Sequence, residues 1–155
     1  MSTRFKPFAT VAVIIEHEGR FLMVEEPQED QDNRLVFGMP SGHIDANEGI
    51  VQAALREGKE EAGFEIELTS FIGIYDYVKD YETIYRFCFA ARPLSLPEKL
   101  QAQDPDGEIL AVRWYSKEEI YAGRENWRTR LVGLCMDDYL KGVRYPLELV
   151  RYLRS

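Results

Sequence analysis

Positive charge is scarce in this sequence. Nineteen Lys and Arg stand against twenty-seven Asp and Glu, a formal net charge of −8, so the surface as a whole repels phosphate backbones and anionic lipid. That argues against a nucleic-acid polymer or a membrane as partner. A small phosphorylated substrate stays open, because a bound divalent cation can mask the repulsion. Cysteine is scarce too: Cys88 and Cys135 form no CxxC and no paired framework, which reads as two buried thiols in a reducing compartment. The apolar run 11–15 is cut short by Glu16, His17 and Glu18 before it is long enough for a signal or membrane segment. A cytoplasmic protein is therefore expected. There is no phosphate-binding loop ending in Lys-Ser/Thr, no G-x-S-x-G elbow, and only two histidines, so a covalent nucleophile is not part of the expected chemistry.

What is present is enough apolar material, 45 % of the residues, for one domain spanning 1–155. The runs 10–15 and 21–24 flank Glu18-Gly19-Arg20 as a hairpin. Residues 25–33 read as a polar loop, 35–39 as a short strand ended by Pro40-Ser41-Gly42, and 49–62 as a helix with Gly63 as its left-handed cap. Two strands rich in Ile, Tyr and Phe, 66–77 and 83–91, meet across Lys79-Asp80-Tyr81. After a polar loop come a strand over 109–115, a short acidic helix capped by Ser116, and a second long helix over 127–140. This order fits the α+β class, with a mixed β-sheet held between helices.

The stretch 42–64 carries the chemistry. On a helix at about 100° per residue, Val51, Leu55, Gly58 and Ala62 share a stripe with Ala54 at its edge, and that face is expected to pack on the sheet. Glu57, Glu60 and Glu61 stand at i, i+3 and i+4, so their carboxylates gather on a neighbouring face. Like charges so placed repel. Two compensations are open: a solvated acidic face with Arg56 and Lys59 as ion partners, or a hard divalent cation such as Mg²⁺, which combines carboxylates with substrate phosphates. Gly58 in mid-helix costs about 1 kcal/mol relative to alanine, which suggests that a large aromatic from the sheet lies against the helix backbone.

The wider spacing resembles the Nudix box, G-x5-E-x7-R-E-U-x-E-E-x-G-U with U a bulky apolar residue. Gly42, Glu48, Arg56, Glu57, Glu60, Glu61 and Gly63 fill its glycine and polar positions in register, while Gly58 and Phe64 depart from its aliphatic ones. The resemblance implies the Nudix fold, an α/β/α sandwich. It implies that Glu57, Glu60, Glu61 and the backbone carbonyl of Ser41 ligate Mg²⁺ or Mn²⁺. Arg56 resembles the arginine that pairs with the loop glutamate, here Glu48, and orients the catalytic residues. Family members often recruit a further carboxylate from a loop beyond the box as base or ligand. Glu108 is the candidate, an ordinary exposed loop glutamate being the alternative.

Outside the box the sequence resembles the NudJ-type Nudix phosphatases, on Phe5-Lys6-Pro7, Arg86-Phe87, Arg113-Trp114 and the segment 144–148. That resemblance implies removal of a terminal phosphate from nucleoside tri- and diphosphates and from thiamine-pathway pyrophosphates such as hydroxymethylpyrimidine diphosphate and thiamine diphosphate. Arg86 is then a phosphate contact or, alternatively, a surface ion-pair residue; His43 touches substrate or is merely solvated. Trp127 and Tyr145 stack on a ring or belong to the core. The competing functions are a dinucleoside polyphosphate pyrophosphatase, prompted by Tyr81, an ADP-ribose pyrophosphatase, and a catalytically inactive nucleotide-binding module. A monomer or homodimer is expected.

Overall fold

Glu18 and Gly19 both take positive φ, 51° and 78°, as a two-residue hairpin turn of the primed type requires. In the computed structural model, which describes residues 4–28 and 34–155, they join β1 (Phe8–His17) to β2 (Arg20–Pro27). β1 carries six consecutive buried residues, 10–15, the mark of a strand covered on both faces. It runs parallel to β6 (Thr83–Pro93), with Val11 opposite Phe87, and antiparallel to β4 (Ser41–His43), with Val11 opposite Gly42. β5 (Ile66–Val78) pairs antiparallel with β6, and β2 carries both β3 (Leu35–Gly38) and β7 (Ala111–Tyr115). The order is β3-β2-β1-β6-β5, with β4 on β1 and β7 on β2.

Because side chains alternate across a strand, β1 divides its apolar residues between two cores. Val11, Val13 and Ile15 join Phe89, Ala54 and Ala62 on one face; Ala12 and Ile14 join Cys88, Val132, Cys135 and Met136 on the other. α1 (Ile50–Ala62) covers the first face, and α2 (Lys117–Ala122) with α3 (Leu131–Leu140) covers the second. The expected α+β sandwich with a mixed sheet between helices is the observed one. Both cysteines are buried and free. Among the described residues, no helix is long and apolar enough to cross a membrane.

Several boundaries differ from the sequence expectation, each for a tertiary reason. β2 runs on to Pro27 because Glu25 and Glu26 pair with Phe37 and Val36. Glu25 tolerates burial because the Tyr115 hydroxyl donates to it at 2.6 Å and Arg113 pairs with it at 3.0 Å. The remainder of the expected polar loop, 29–33, lies outside the described residues. β7 begins at Ala111 rather than 109, since Asp104 takes the N–H groups of Glu108 at 2.6 Å and Ile109 at 3.1 Å into its own turn. The last long helix starts at Leu131, not Trp127. Trp127 instead bridges Phe37, its indole N–H donates to the Ile120 carbonyl at 2.8 Å, and the Arg128 N–H donates to the Phe37 carbonyl at 2.8 Å. Those bonds satisfy the backbone in an extended form and override helix propensity.

Candidate active site

The buried stripe of α1 is built from small residues, Ala53, Ala54, Gly58 and Ala62, which brings the helix close to the sheet. It is rotated from the stripe that periodicity predicts: Leu55 is 38 % exposed, and Ala53 and Glu61 are buried in its place. Gly58 is explained by contact, with an aliphatic neighbour where an aromatic was expected. A Cβ added there would lie 2.5 Å from Ile66 Cδ1 and 3.6 Å from Val13 Cγ2. The rotation has a consequence for chemistry, since it carries Glu61 to the edge of the core.

Arg56 is the hub of the acidic cluster. Its Nε meets Glu48 Oε2 at 2.7 Å and its Nη2 meets Glu48 Oε1 at 2.9 Å, a two-pronged contact that fixes orientation as well as charge. The same guanidinium reaches Glu57 at 2.8 Å, Glu60 at 3.4 Å and the His43 carbonyl at 3.0 Å. Gly42 makes room for this. A Cβ there would fall 2.3 Å from the Glu57 carboxylate, so only glycine lets β4 pass so close to the helix. One residue earlier, the Ser41 N–H donates to Glu61 Oε1 at 2.8 Å.

The far end of α1 positions the loop that carries Glu108. Gly63 has φ 84°, and a Cβ on it would lie 1.8 Å from the Gln101 carbonyl oxygen, while the Gln103 N–H donates to the Glu60 carbonyl at 2.6 Å. The loop is thereby docked on the helix terminus, and Glu108 lines the same pocket as Glu57, Glu60 and Glu61.

That pocket, about 550 Å³, extends past Thr10 and Ser41 to Arg86 and Arg128. Arg86 is 7 % exposed, donates through Nε to Thr10 Oγ1 at 3.3 Å, and leaves Nη1 without a hydrogen-bond partner among the described residues. It is buried, not a surface ion-pair residue. Arg128 pairs with Glu26 at 2.7 Å and donates to the Ser41 hydroxyl. Sequence reasoning missed both Arg128 and Glu26, because one lies in a stretch that reads as helix and the other in a stretch that reads as loop. Only strand register and the Trp127 anchor bring them here. His43 is exposed at the pocket with its ring edge-on to Phe8. Trp127 packs against the second core, Tyr145 is bridged to Phe71, Tyr81 stands exposed after β5, and none of the three lines the pocket.

The sequence profile described as NUDIX domain matches residues 6–133. The chain belongs to the Nudix family. It is 37 % identical over 147 residues to Phosphatase NudJ of Escherichia coli strain K12, covering 94 % of this chain and 92 % of that protein, and equally similar to Phosphatase NudJ of Shigella flexneri. A NUDIX hydrolase from Nitrosomonas europaea matches in structure with a TM-score of 0.85 at 34 % identity, over 96 % of this chain and 98 % of that one. This Nudix protein is a hydrolase.

Nudix hydrolases generally use divalent metal ions, and the donors of this one fit such an ion. Burial pushes the Glu61 carboxyl up to about 8, against the opposing pull of Arg128 and the Ser41 N–H. Burial also holds Glu57 above the usual carboxylate range, with Arg56 opposing. Glu48 differs: its hydrogen bond to Arg56 holds it below that range, and the same contact pushes Arg56 up. Two carboxylates withdrawn from water with too little positive charge beside them are an environment that a hard cation relieves. Among the described residues no three His, Cys, Asp or Glu side chains converge on one point. Arg56 draws Glu57 and Glu60 to itself while Ser41 holds Glu61 against β4, so a cation competes with those contacts for the same oxygens.

Proposed function

We propose that this Nudix hydrolase is a Mg²⁺-dependent phosphatase of the NudJ type, acting through residues of a single domain to cleave diphosphate linkages by water attack on phosphorus. Its substrates are nucleoside tri- and diphosphates and thiamine-pathway pyrophosphates, hydroxymethylpyrimidine diphosphate and thiamine diphosphate among them. The observation that carries this is one pocket lined by Glu57, Glu60 and Glu61 together with Arg86 and Arg128. The 37 % identity to proteins named as phosphatases supports the reaction class.

In this proposal Glu57, Glu60, Glu61 and the Ser41 carbonyl hold the cation, with Mn²⁺ as a substitute for Mg²⁺. When bound, it supplies neutralising charge to phosphate oxygens and acidifies water. Arg56, clamped by Glu48, sets the positions of Glu57 and Glu60. Glu108 is the carboxylate at hand to take a proton from the attacking water. Arg86 and His43 contact the substrate.

The test is release of orthophosphate and diphosphate with Mg²⁺ across hydroxymethylpyrimidine diphosphate, thiamine diphosphate, nucleoside di- and triphosphates, ADP-ribose and diadenosine polyphosphates, for the wild type and Glu61→Gln. Orthophosphate from the first three classes, lost in the variant, is the expected result. Turnover confined to ADP-ribose or dinucleotides overturns the NudJ-type assignment and keeps the hydrolase. A wild type inert on every compound with Mg²⁺ or Mn²⁺ points to a binding module.

A further inference from the structure

After α3 the chain folds back over the other face of the sheet. Gly142 takes φ 90°, which turns the chain out of the helix, and Arg144 stacks on the Tyr139 ring at 3.7 Å. Tyr145 then pairs with the edge of β5, its N–H donating to the Phe71 carbonyl at 2.8 Å and its carbonyl accepting from the Phe71 N–H at 2.9 Å. Past that edge, Leu147 and Val150 pack on the core that α1 covers, on the face opposite α3. The residues that follow reach the start of α1. A Cβ on Gly49, the residue that precedes the helix, would lie 2.7 Å from the Tyr152 ring, so the ring fills the space that a side chain there would need. Arg154 Nη1 donates to the Asn47 carbonyl at 3.2 Å.

Both contacts fall on the loop 45–49 between β4 and α1, which has little else to hold it. Asn47 has φ 65°, a conformation that asparagine tolerates and few other residues adopt. Among the described residues, the bond from Arg154 is the one hydrogen bond that reaches 45–49 from outside the stretch 41–57. The loop carries Glu48, whose Oε1 accepts from the Asp45 N–H at 3.0 Å and whose two oxygens grip Arg56. We infer that the segment 145–154 is a strap across the sheet, and that Tyr152 and Arg154 are positioning residues that hold the loop where Glu48 can clamp Arg56. The inference rests on the proposal that Arg56, so clamped, sets the positions of Glu57 and Glu60. Tyr152 is 53 % exposed, so trimming it leaves Leu147 and Val150 in the core and separates positioning from folding.

The experiment follows the Arg56 Nε–H of the folded protein by NMR, alongside steady-state hydrolysis of the substrate panel above. Glu48 accepts from that N–H at 2.7 Å, so its exchange with water reports the clamp directly and needs no turnover. Tyr152→Ala is expected to speed the exchange by about 5-fold or more, the effect of a restraint weakened locally. It should lower kcat by a similar factor with KM within about 2-fold, since displaced catalytic groups cost turnover more than binding. Tyr152→Phe, which keeps the ring, should match the wild type. In a Glu48→Gln background, Tyr152→Ala should change kcat by less than about 2-fold, because residues that act through one contact are not additive. Arg154→Ala should move both readouts in the same direction, and it decides if Tyr152→Ala does not fold by circular dichroism. Exchange that stays at the wild-type rate in these variants, faster exchange with kcat unchanged, or a loss of kcat that repeats in full in the Glu48→Gln background would overturn the strap, whatever the melting temperature does. A wild type that hydrolyses nothing loses the phosphatase proposal and leaves the strap to be decided by the exchange rates.

Discussion

The acidic and the basic residues of the pocket are brought together in different ways. Apart from the loop that carries Glu108, the acidic lining comes from one continuous piece of chain: Gly42, Glu48, Arg56, Glu57, Glu60, Glu61 and Gly63 lie within β4, α1 and the turns beside them. Its geometry is set by helical spacing, by one clamp between Arg56 and Glu48, and by two glycines whose Cβ positions are already occupied by Glu57 and Gln101. The basic lining draws Thr10 from β1, Glu26 from β2, Arg86 from β6 and Arg128 from a connection that reads as helix. No spacing rule links residues 10, 26, 86 and 128. An acid cluster can be written locally because a helix brings i, i+3 and i+4 together, whereas these four residues meet only once the parallel β1–β6 pair and the Arg128 N–H bond to the Phe37 carbonyl have formed.

The contrast can be sharpened by substitutions, beginning with the largest effect. Glu61→Gln should lower kcat by about 100-fold or more, the usual size for an electrostatic group at the reacting centre, with KM moving little; steady-state kinetics on a nucleoside triphosphate decides. Gly63→Ala should destabilise the fold by at least about 2 kcal/mol, because positive φ and a backbone clash combine. Urea denaturation reads this, and a smaller loss would mean that the 94–110 loop is not held as tightly as Gly63 implies. Glu26→Gln, which loosens Arg128 and touches none of the acidic residues, should raise KM by about 5-fold at nearly constant kcat, in line with a net loss near 1 kcal/mol for one partly buried pair. Should it lower kcat instead, the division of labour between the acidic and the basic residues fails. Gly58→Ala should change stability by no more than about 1 kcal/mol, since the gain in helix propensity offsets the shift of a flexible Ile66 terminus.

The smallest effect concerns the layers that carry the two sets of residues. α3 is tied to its surroundings by tyrosine–carboxylate hydrogen bonds: Tyr75 donates to Asp138 at 2.6 Å, Tyr121 to Asp137 at 2.6 Å, and Tyr139 to Glu16. Burial first, and the carboxylate partner second, push each phenol up, Tyr139 to about 12. A raised folded-state value means that the stabilisation is fully present below the unfolded value near 10 and is lost as pH rises through about 12. The melting temperature should therefore fall over that window, and Tyr139→Phe should flatten the fall. A melt independent of pH there would remove the phenol contacts from the account of how α3 is held.

Much of the fold was legible before any coordinates. The hairpin at Glu18-Gly19, the helix ended by Gly63, the Ser116 cap, which accepts from the Glu119 N–H at 3.1 Å, and the long β5–β6 pair all follow from turn chemistry and periodicity. What misled was local resemblance to the wrong element. Residues 127–130 suit a helix by composition, yet the Trp127 indole bond to Ile120 and the Phe37 carbonyl hold Trp127 extended and delay the helix to Leu131. Leu55 belongs by period to the buried stripe, yet Ala53, Ala54 and Gly58 allow an approach that rotates the helix away from it.

The sequence by itself determined the family, the acidic cluster and the hub at Arg56, because those depend on residue types at helical intervals within one short stretch. The tertiary structure alone decided that Arg86 is buried with an Nη1 that has no hydrogen-bond partner among the described residues, that Arg128 and Glu26 line the same pocket, and that Glu61 lies at the edge of the core. Burial and long-range register are properties of packed layers, and no local pattern in the chain encodes them.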